Sequence, residues 1–178
     1  MSDDDARASA RDLSAYTGTG IDRGRPMWVR GLWLMVSTSI LMRWWVPNRV
    51  RVAVLRLFGA SIGGGCIVRP RVRIDMPWKL SVGDHSWIGE GVWIINPESV
   101  ALGSNVCVSQ EAMLCSGGHD PNSPSFERDS SPIRIEDGVW IAVRATVLRG
   151  VTVGAQSTIG AGTVIASSVG PGHVVIRR

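Results

Sequence analysis

The chain has 178 residues, 44% of them apolar, with 21 glycines and a formal net charge of +4, which suits one folded domain with an attachment and excludes a disordered chain. The cationic excess rests on eighteen arginines and a single lysine, Lys79; they are dispersed and accompany no recognisable nucleic-acid module, so the charge implies a mild preference for anionic ligands or membrane surface and no nucleic-acid partner. Cys66, Cys107 and Cys115 are odd in number and form no CxxC pair, which excludes a disulfide framework or zinc knuckle and fits a reducing cytoplasm.

Residues 1–26 begin with Asp3, Asp4 and Asp5 and stay polar to Arg25. They lack the basic and apolar regions of a secretory signal and are expected to be a disordered tail. Residues 27–60 change texture: Trp28, Leu32, Trp33, Met35, Val36, Ile40, Leu41, Trp44 and Trp45 precede Pro47, and Val50, Val54, Leu55, Leu57 and Phe58 follow it. This pattern predicts two helices hinged at Pro47. The charge-free run between Arg30 and Arg43 is too short for the roughly 20 residues of a membrane-spanning helix. Two roles are open for the segment. It can cap the open end of the domain that follows, or residues 27–57 can lie on a membrane surface with Arg30, Arg43, Arg49, Arg51 and Arg56 toward anionic lipid.

From residue 61 onward an aliphatic residue returns every sixth position: Ile62, Val68, Ile74, then Val82, Ile88, Ile94, then Leu102, Val108, Leu114, then Ile135, Ile141, Val147, then Val153, Ile159, Ile165. A helix would repeat near 3.6 and a lone strand at two, so a period of six calls for a short strand followed by a turn, one side of an all-β solenoid coil. Three such sides per turn give about five coils over residues 61–178. The residue after each marker is often small, as in Gly63, Gly83, Gly89 and Gly154, which is expected where the backbone bends at a corner. The fourth residue after it is small or β-branched, as in Cys66, Ser86, Val92, Ala112 and Thr163, and is expected to share the narrow core. The period is interrupted only between the third side and the next first side, and the step from Leu114 to Ile135 carries a long loop. A loop confined to one corner is how a solenoid acquires a functional site.

That loop begins Cys115-Ser116-Gly117-Gly118-His119-Asp120-Pro121. Imidazole is the natural base near neutral pH for a hydroxyl that must lose its proton before attacking, and the two glycines give His119 freedom to project toward a cleft. Asp120 either orients that ring or caps the turn before Pro121. Cys115 is a possible acyl-carrying nucleophile but is better read as a packing residue. His85 and His173 lie in unrelated registers, so a three-histidine zinc site is not expected.

The hexads, the His-Asp-Pro loop and the following Ile133-Arg134-Ile135-Glu136-Asp137-Gly138-Val139-Trp140-Ile141 resemble the hexapeptide-repeat acyltransferases. Within that family Leu57-Phe58-Gly59-Ala60, Met76-Pro77-Trp78-Lys79-Leu80 and Val108-Ser109-Gln110 are similar to the colanic-acid-biosynthesis type of acetyltransferase. The resemblance implies a left-handed parallel β-helix, a homotrimer with sites between subunits, and transfer from acetyl-CoA to a sugar hydroxyl without a metal. It matches His119 to the family's catalytic histidine. Asn96 resembles an asparagine that holds the sugar, while Asn96-Pro97 also makes a turn by itself; read from the residues alone, Trp93 and Trp140 either wall the sugar ring or pack at a coil corner. Ala142, Val143 and Ala161 match backbone contacts to CoA, with Ala166 and Ser167 at the end of the last hexad. Here the chain departs from the family: Trp140-Ile141-Ala142-Val143 replaces Trp-Ile-Gly-Ala, and Ala166-Ser167 replaces a Thr-Lys pair whose cation would meet a CoA phosphate. The family's terminal Gly-Asn-Pro-Ala segment is also replaced by Val175-Ile176-Arg177-Arg178. Arg144, Arg149, Arg177 and Arg178 are candidates to replace the charge.

The expected function is therefore an O-acetyltransferase acting on an exopolysaccharide or other glycoconjugate precursor, lipid-linked or free, in the cytoplasm or at the inner membrane face. The departures at the CoA positions motivate a second expectation, a non-catalytic β-helix scaffold with weakened CoA binding.

Overall fold

The structure is a computed structural model that describes residues 12–18 and 22–176. The hexads form short strands stacked into three parallel sheets. The first contains Ser61–Ile62, Leu80–Val82, Val100–Leu102, Ile133–Ile135 and Thr152–Val153. The second contains Ile67–Val68, Trp87–Ile88, Cys107–Val108, Trp140–Ile141, Thr158–Ile159 and Val174–Val175. The third contains Arg73–Ile74, Trp93–Ile95, Met113–Cys115, Thr146–Leu148 and Val164–Ile165. Marker pairs with marker throughout, as in Ile62 with Val82, Ile88 with Val108 and Ile94 with Leu114.

Five coils are complete, and a sixth begins with a bridge from Val169 to Val153 and the strand Val174–Val175. This extends the expected five. The six-residue step from Val169 to Val175 is intact, but it follows Ile165 by four residues and stands alone, so periodicity gives it no weight.

Both predicted inward positions are buried. Ile88, Ile94, Val108 and Leu114 are at most 1% exposed, and so are Val92, Val106, Ala112 and Ala145. The small residues after the markers have a different cause from the one expected. A Cβ on Gly83 would lie 2.5 Å from the carbonyl carbon of Gly103, and one on Gly154 would lie 2.5 Å from the backbone nitrogen of Pro171. Close stacking of the next coil demands the absent side chain there. The bend itself falls two residues later, where Arg71, His85, Asn105, Glu111, Arg144 and Gln156 take φ between 56° and 63°, a region that non-glycine residues enter rarely.

Two helices, α1 (Met27–Ile40) and α2 (Asn48–Leu57), flank Pro47 and cover the first coil. Leu41, Val52 and Leu55 join the core, and the Trp33 ring packs 5.0 Å from that of Phe58. The edge of the first coil is satisfied one group at a time. Trp33 Nε1 donates to the Ile74 carbonyl at 2.9 Å, Asn48 Nδ2 donates to Cys66 O at 2.9 Å while its Oδ1 accepts from Val68 N at 2.7 Å, and Arg56 donates to Ile62 O and Gly63 O at 2.8 Å each. A bare edge would invite strand addition; the cap removes it.

The described part of the segment expected to be a disordered tail makes contacts with the solenoid. Trp78 Nε1 donates to Arg23 O at 3.0 Å and Lys79 Nζ to Asp22 O at 2.6 Å, while residues 12–18 reach the long loop, as detailed below. Residues 1–11 and 19–21 lie outside the described residues.

Candidate active site

The long loop leaves the corner between the third and first sheets. Ser116, fully buried, anchors its start: the backbone N–H donates to Ile95 O at 2.9 Å, and the hydroxyl donates to Glu98 O at 2.8 Å while accepting from Glu98 N at 3.0 Å. The loop then folds back on itself. Asp129 N donates to Gly118 O at 3.0 Å, His119 bridges antiparallel to Arg128, and Asp120 N donates to Glu127 O at 2.8 Å. At the tip, Asp120 Oδ1 accepts from Asn122 N at 2.8 Å. Of the two roles open to Asp120, the carboxylate performs the turn cap.

His119 is half-buried between ring neighbours. Its imidazole stacks on Phe126 with centroids 4.0 Å apart and planes 7° from parallel, and Tyr16 meets it edge-on at 5.7 Å. Nδ1 lies 2.8 Å from the Phe126 carbonyl oxygen. A carbonyl can only accept, so Nδ1 carries the proton of the neutral ring and Nε2 keeps its lone pair. Phe126 reaches this position at φ 55°, a strained conformation for a bulky residue of the sort that concentrates at functional sites.

The base of the loop is pinned by an ion pair. Arg149, following the third-sheet strand of the fourth coil, donates through Nε to Asp129 Oδ2 at 2.7 Å, with its Nη2 also on that oxygen. The hydrogen bond from Arg149 holds the Asp129 carboxyl below its ordinary pKa, and the same contact raises that of Arg149. Gly118 fits beneath this pair: a Cβ there would lie 3.0 Å from Arg149 Cδ and from Asp129 O. From the other end of the chain, Asp12 N donates to Pro124 O at 2.9 Å and Arg128 Nε donates to the Tyr16 hydroxyl at 2.6 Å. Tyr16, Phe126, Arg128 and the Asp129 and Arg149 pair were not singled out as loop supports by the sequence. The only signal for Tyr16 is that it is the sole tyrosine.

Asn96 departs from its expected role. It is fully buried, with Oδ1 accepting from Met76 N at 2.9 Å and Nδ2 donating to Met76 O at 2.7 Å. Its amide is spent on clasping the first coil to the second and has no exposed edge to offer a sugar. Trp93 is half-buried with the Arg73 guanidinium 4.0 Å from its ring centre. Trp140 is 50% exposed and donates through Nε1 to Ser109 Oγ at 2.8 Å. Cys115 points its thiol at Gly117 O, 3.2 Å away. His85 and His173 are exposed, and among the described residues no group of three His, Cys, Asp or Glu could hold a metal ion.

The residues expected to meet CoA fall on two different edges of the prism. Ala166 and Ser167 follow a third-sheet strand and share the edge from which the His119 loop leaves, whereas Ala142, Val143 and Ala161 follow second-sheet strands. Ala142 is buried while Val143 and Ala161 are exposed, so the extra methyl of Ala142 adds little to the outer surface. Arg144 is paired with Glu111 at 2.6 Å, and Arg177 and Arg178 lie outside the described residues.

A separate groove of about 490 Å³ runs between α1 and the third sheet, lined by Trp33, Trp78, Trp93, Arg73 and Asp75 among others, and His119 is not among its walls. Desolvation raises the pKa of Asp75 there, opposed by a long hydrogen bond from Trp93 and by the charge of Arg73. No described helix is long and apolar enough to cross a membrane.

Comparison with known proteins agrees with this architecture. The model of the bacterial transferase hexapeptide (six repeats) family matches residues 132–167. A protein of Escherichia coli K12 with the provisional name colanic acid biosynthesis acetyltransferase WcaF is 36% identical over 171 residues, covering 94% of this chain and 92% of its own. The galactoside O-acetyltransferase of the same organism is 27% identical, covering 72% and 66%. Among solved structures, a galactoside acetyltransferase in complex with coenzyme A superposes with a TM-score of 0.75 at 23% identity, covering 85% and 80%. A hexapeptide-repeat acetyltransferase of Vibrio cholerae complexed with acetyl-CoA gives 0.73 at 24%, covering 81% and 79%. With three stacked parallel sheets and a relative this similar over nearly its whole length, the chain belongs to the hexapeptide-repeat acetyltransferase family.

Proposed function

We propose that the protein is a CoA-dependent O-acetyltransferase that moves the acetyl group of acetyl-CoA to a sugar hydroxyl of an exopolysaccharide or related glycoconjugate precursor. The observation that carries this reading is the His119 ring, whose Nδ1 is committed to the Phe126 carbonyl at 2.8 Å and whose Nε2 is thereby the basic nitrogen. Nε2 takes the proton of the acceptor hydroxyl as its oxygen bonds to the thioester carbonyl carbon. The imidazolium, stabilised by the carbonyl at Nδ1, then returns that proton to the sulfur as the carbon–sulfur bond breaks. The products are the sugar acetate and free CoA thiol, and His119 ends as it began.

The colanic acid name of the 36% relative favours a cell-surface polysaccharide unit as acceptor. The placement of Ala142, Val143 and Ala161 on a different edge from His119 favours a site completed by a second subunit. In a cytoplasmic homotrimer, one chain would bring its His119 loop against the second-sheet edge of the next.

Release of free thiol from acetyl-CoA tests the reading. It should depend on a sugar acceptor, and His119→Ala should lower it by at least about 100-fold with an unchanged melting temperature. Near-normal transfer by that variant would overturn the role of His119. The scaffold alternative is tested separately, since it requires no acetyl-CoA binding by calorimetric titration of the folded protein.

A further inference from the structure

The solvent side of α1 is apolar where a surface helix is ordinarily polar. Met27, Trp28, Leu34 and Met35 are 80%, 72%, 66% and 61% exposed, and the sole charge in the helix, Arg30, is half-buried. The opposite side carries Trp33 into the core, so the helix presents large apolar side chains on both sides. Immediately beyond it Trp44 and Trp45 are 80% and 60% exposed, with the Arg43 guanidinium 5.5 Å from the Trp45 ring centre.

The charge carried by this part of the chain is of one sign. Between Asp22 and Asp75 the chain holds ten arginines and no aspartate or glutamate. Arg51 is buried beneath the carbonyls of Arg43 and Val68, and Arg30 is half-buried; the other eight are exposed. Arg71 reaches Glu90 at 3.4 Å, an acidic partner from outside the stretch.

We propose that this face docks the protein on the surface of an anionic phospholipid bilayer, with α1 lying in the interfacial plane. Exposed tryptophans sit favourably at headgroup level, where ring and indole N–H face different media. Arginines flanking an apolar helix face supply the attraction to anionic headgroups. A second copy of the same face would set mostly arginine against arginine, with only Asp75 and Glu90 nearby to offset it, which disfavours self-association. Docking goes beyond the acetyl-transfer reading and stands or falls without it; together they would present the acceptor site to sugars carried on lipid.

Cosedimentation of the full chain with vesicles tests it. The protein should pellet with equimolar phosphatidylglycerol and phosphatidylcholine, and its binding should be weaker by roughly tenfold or more on pure phosphatidylcholine or in high salt. The variant Trp28→Ser/Trp44→Ser/Trp45→Ser should lose binding while keeping its circular dichroism spectrum and its oligomeric state. Should it misfold, Arg43→Glu/Arg49→Glu, which alters only exposed side chains, should lose binding to the anionic vesicles. Failure of the wild type to bind anionic vesicles, or undiminished binding by the variants, overturns the proposal. A change of oligomeric state in the tryptophan variant also overturns it and assigns the face to contacts between copies.

Discussion

From Val82 to Leu114 each marker residue of the coils is at most 4% exposed, whereas from Gly117 to Ser131 the loop contains no buried residue at all. Each coil repeats its neighbour's hydrogen bonds and apolar contacts, so no single polar side chain carries the fold. The loop has no such redundancy: it rests on the turn cap of Asp120, the strained carbonyl of Phe126, the ion pair of Asp129 and Arg149, and the edge of Tyr16. On the proposed reading, stability and chemistry are thus held by different residues, and substitutions should separate them.

The largest effect on stability is expected from a coil marker. Ile88→Ala removes a side chain that is 1% exposed and should lower the unfolding free energy by about 2–5 kcal/mol, measured by chemical denaturation, with acetyl transfer per folded molecule retained. Asn96→Ala sharpens the boundary. If its two hydrogen bonds to Met76 define its role, stability should fall by about 1–3 kcal/mol with little change in the KM for acceptor; a raised KM without loss of stability would return Asn96 to the acceptor site.

In the loop the order reverses. Gly118→Ala pushes a methyl against Arg149 and Asp129 and should reduce kcat roughly tenfold or more by displacing His119, with a smaller change in stability than Ile88→Ala. Asp129→Asn should lower kcat a few-fold and leave the melting temperature nearly unchanged, since a single ion pair open to solvent on one side contributes little. The sign with pH follows from the depressed pKa of Asp129. Its anchoring is fully present above the ordinary carboxylate value near 4 and is lost as pH falls through the lower folded value. The protection of the loop amides, taken relative to intrinsic exchange at each pH, should therefore fall on acidification, and less so in Asp129→Asn.

The same division explains what was legible in the residues. A six-residue aliphatic period is redundant information, and it marked the three sheets, the buried fourth positions and the corner that bears the loop. The helical cap followed from Pro47 and the tryptophans. Contacts made once were not legible. Arg128 and Tyr16 meet across 112 positions of sequence, Asn96 turned inward onto Met76, and the Gly83 and Gly154 positions reflect crowding by the next coil rather than the bend. Single pairs of this kind leave no period to detect.

The state of the His119 ring itself is the most direct test. Nitrogen NMR of the protein labelled at histidine should show, in the neutral ring, a proton on Nδ1 and a bare Nε2, with the Nδ1 signal shifted when Phe126 is replaced. A neutral ring protonated at Nε2 would contradict the account, because the nitrogen assigned to accept the hydroxyl proton would already hold one.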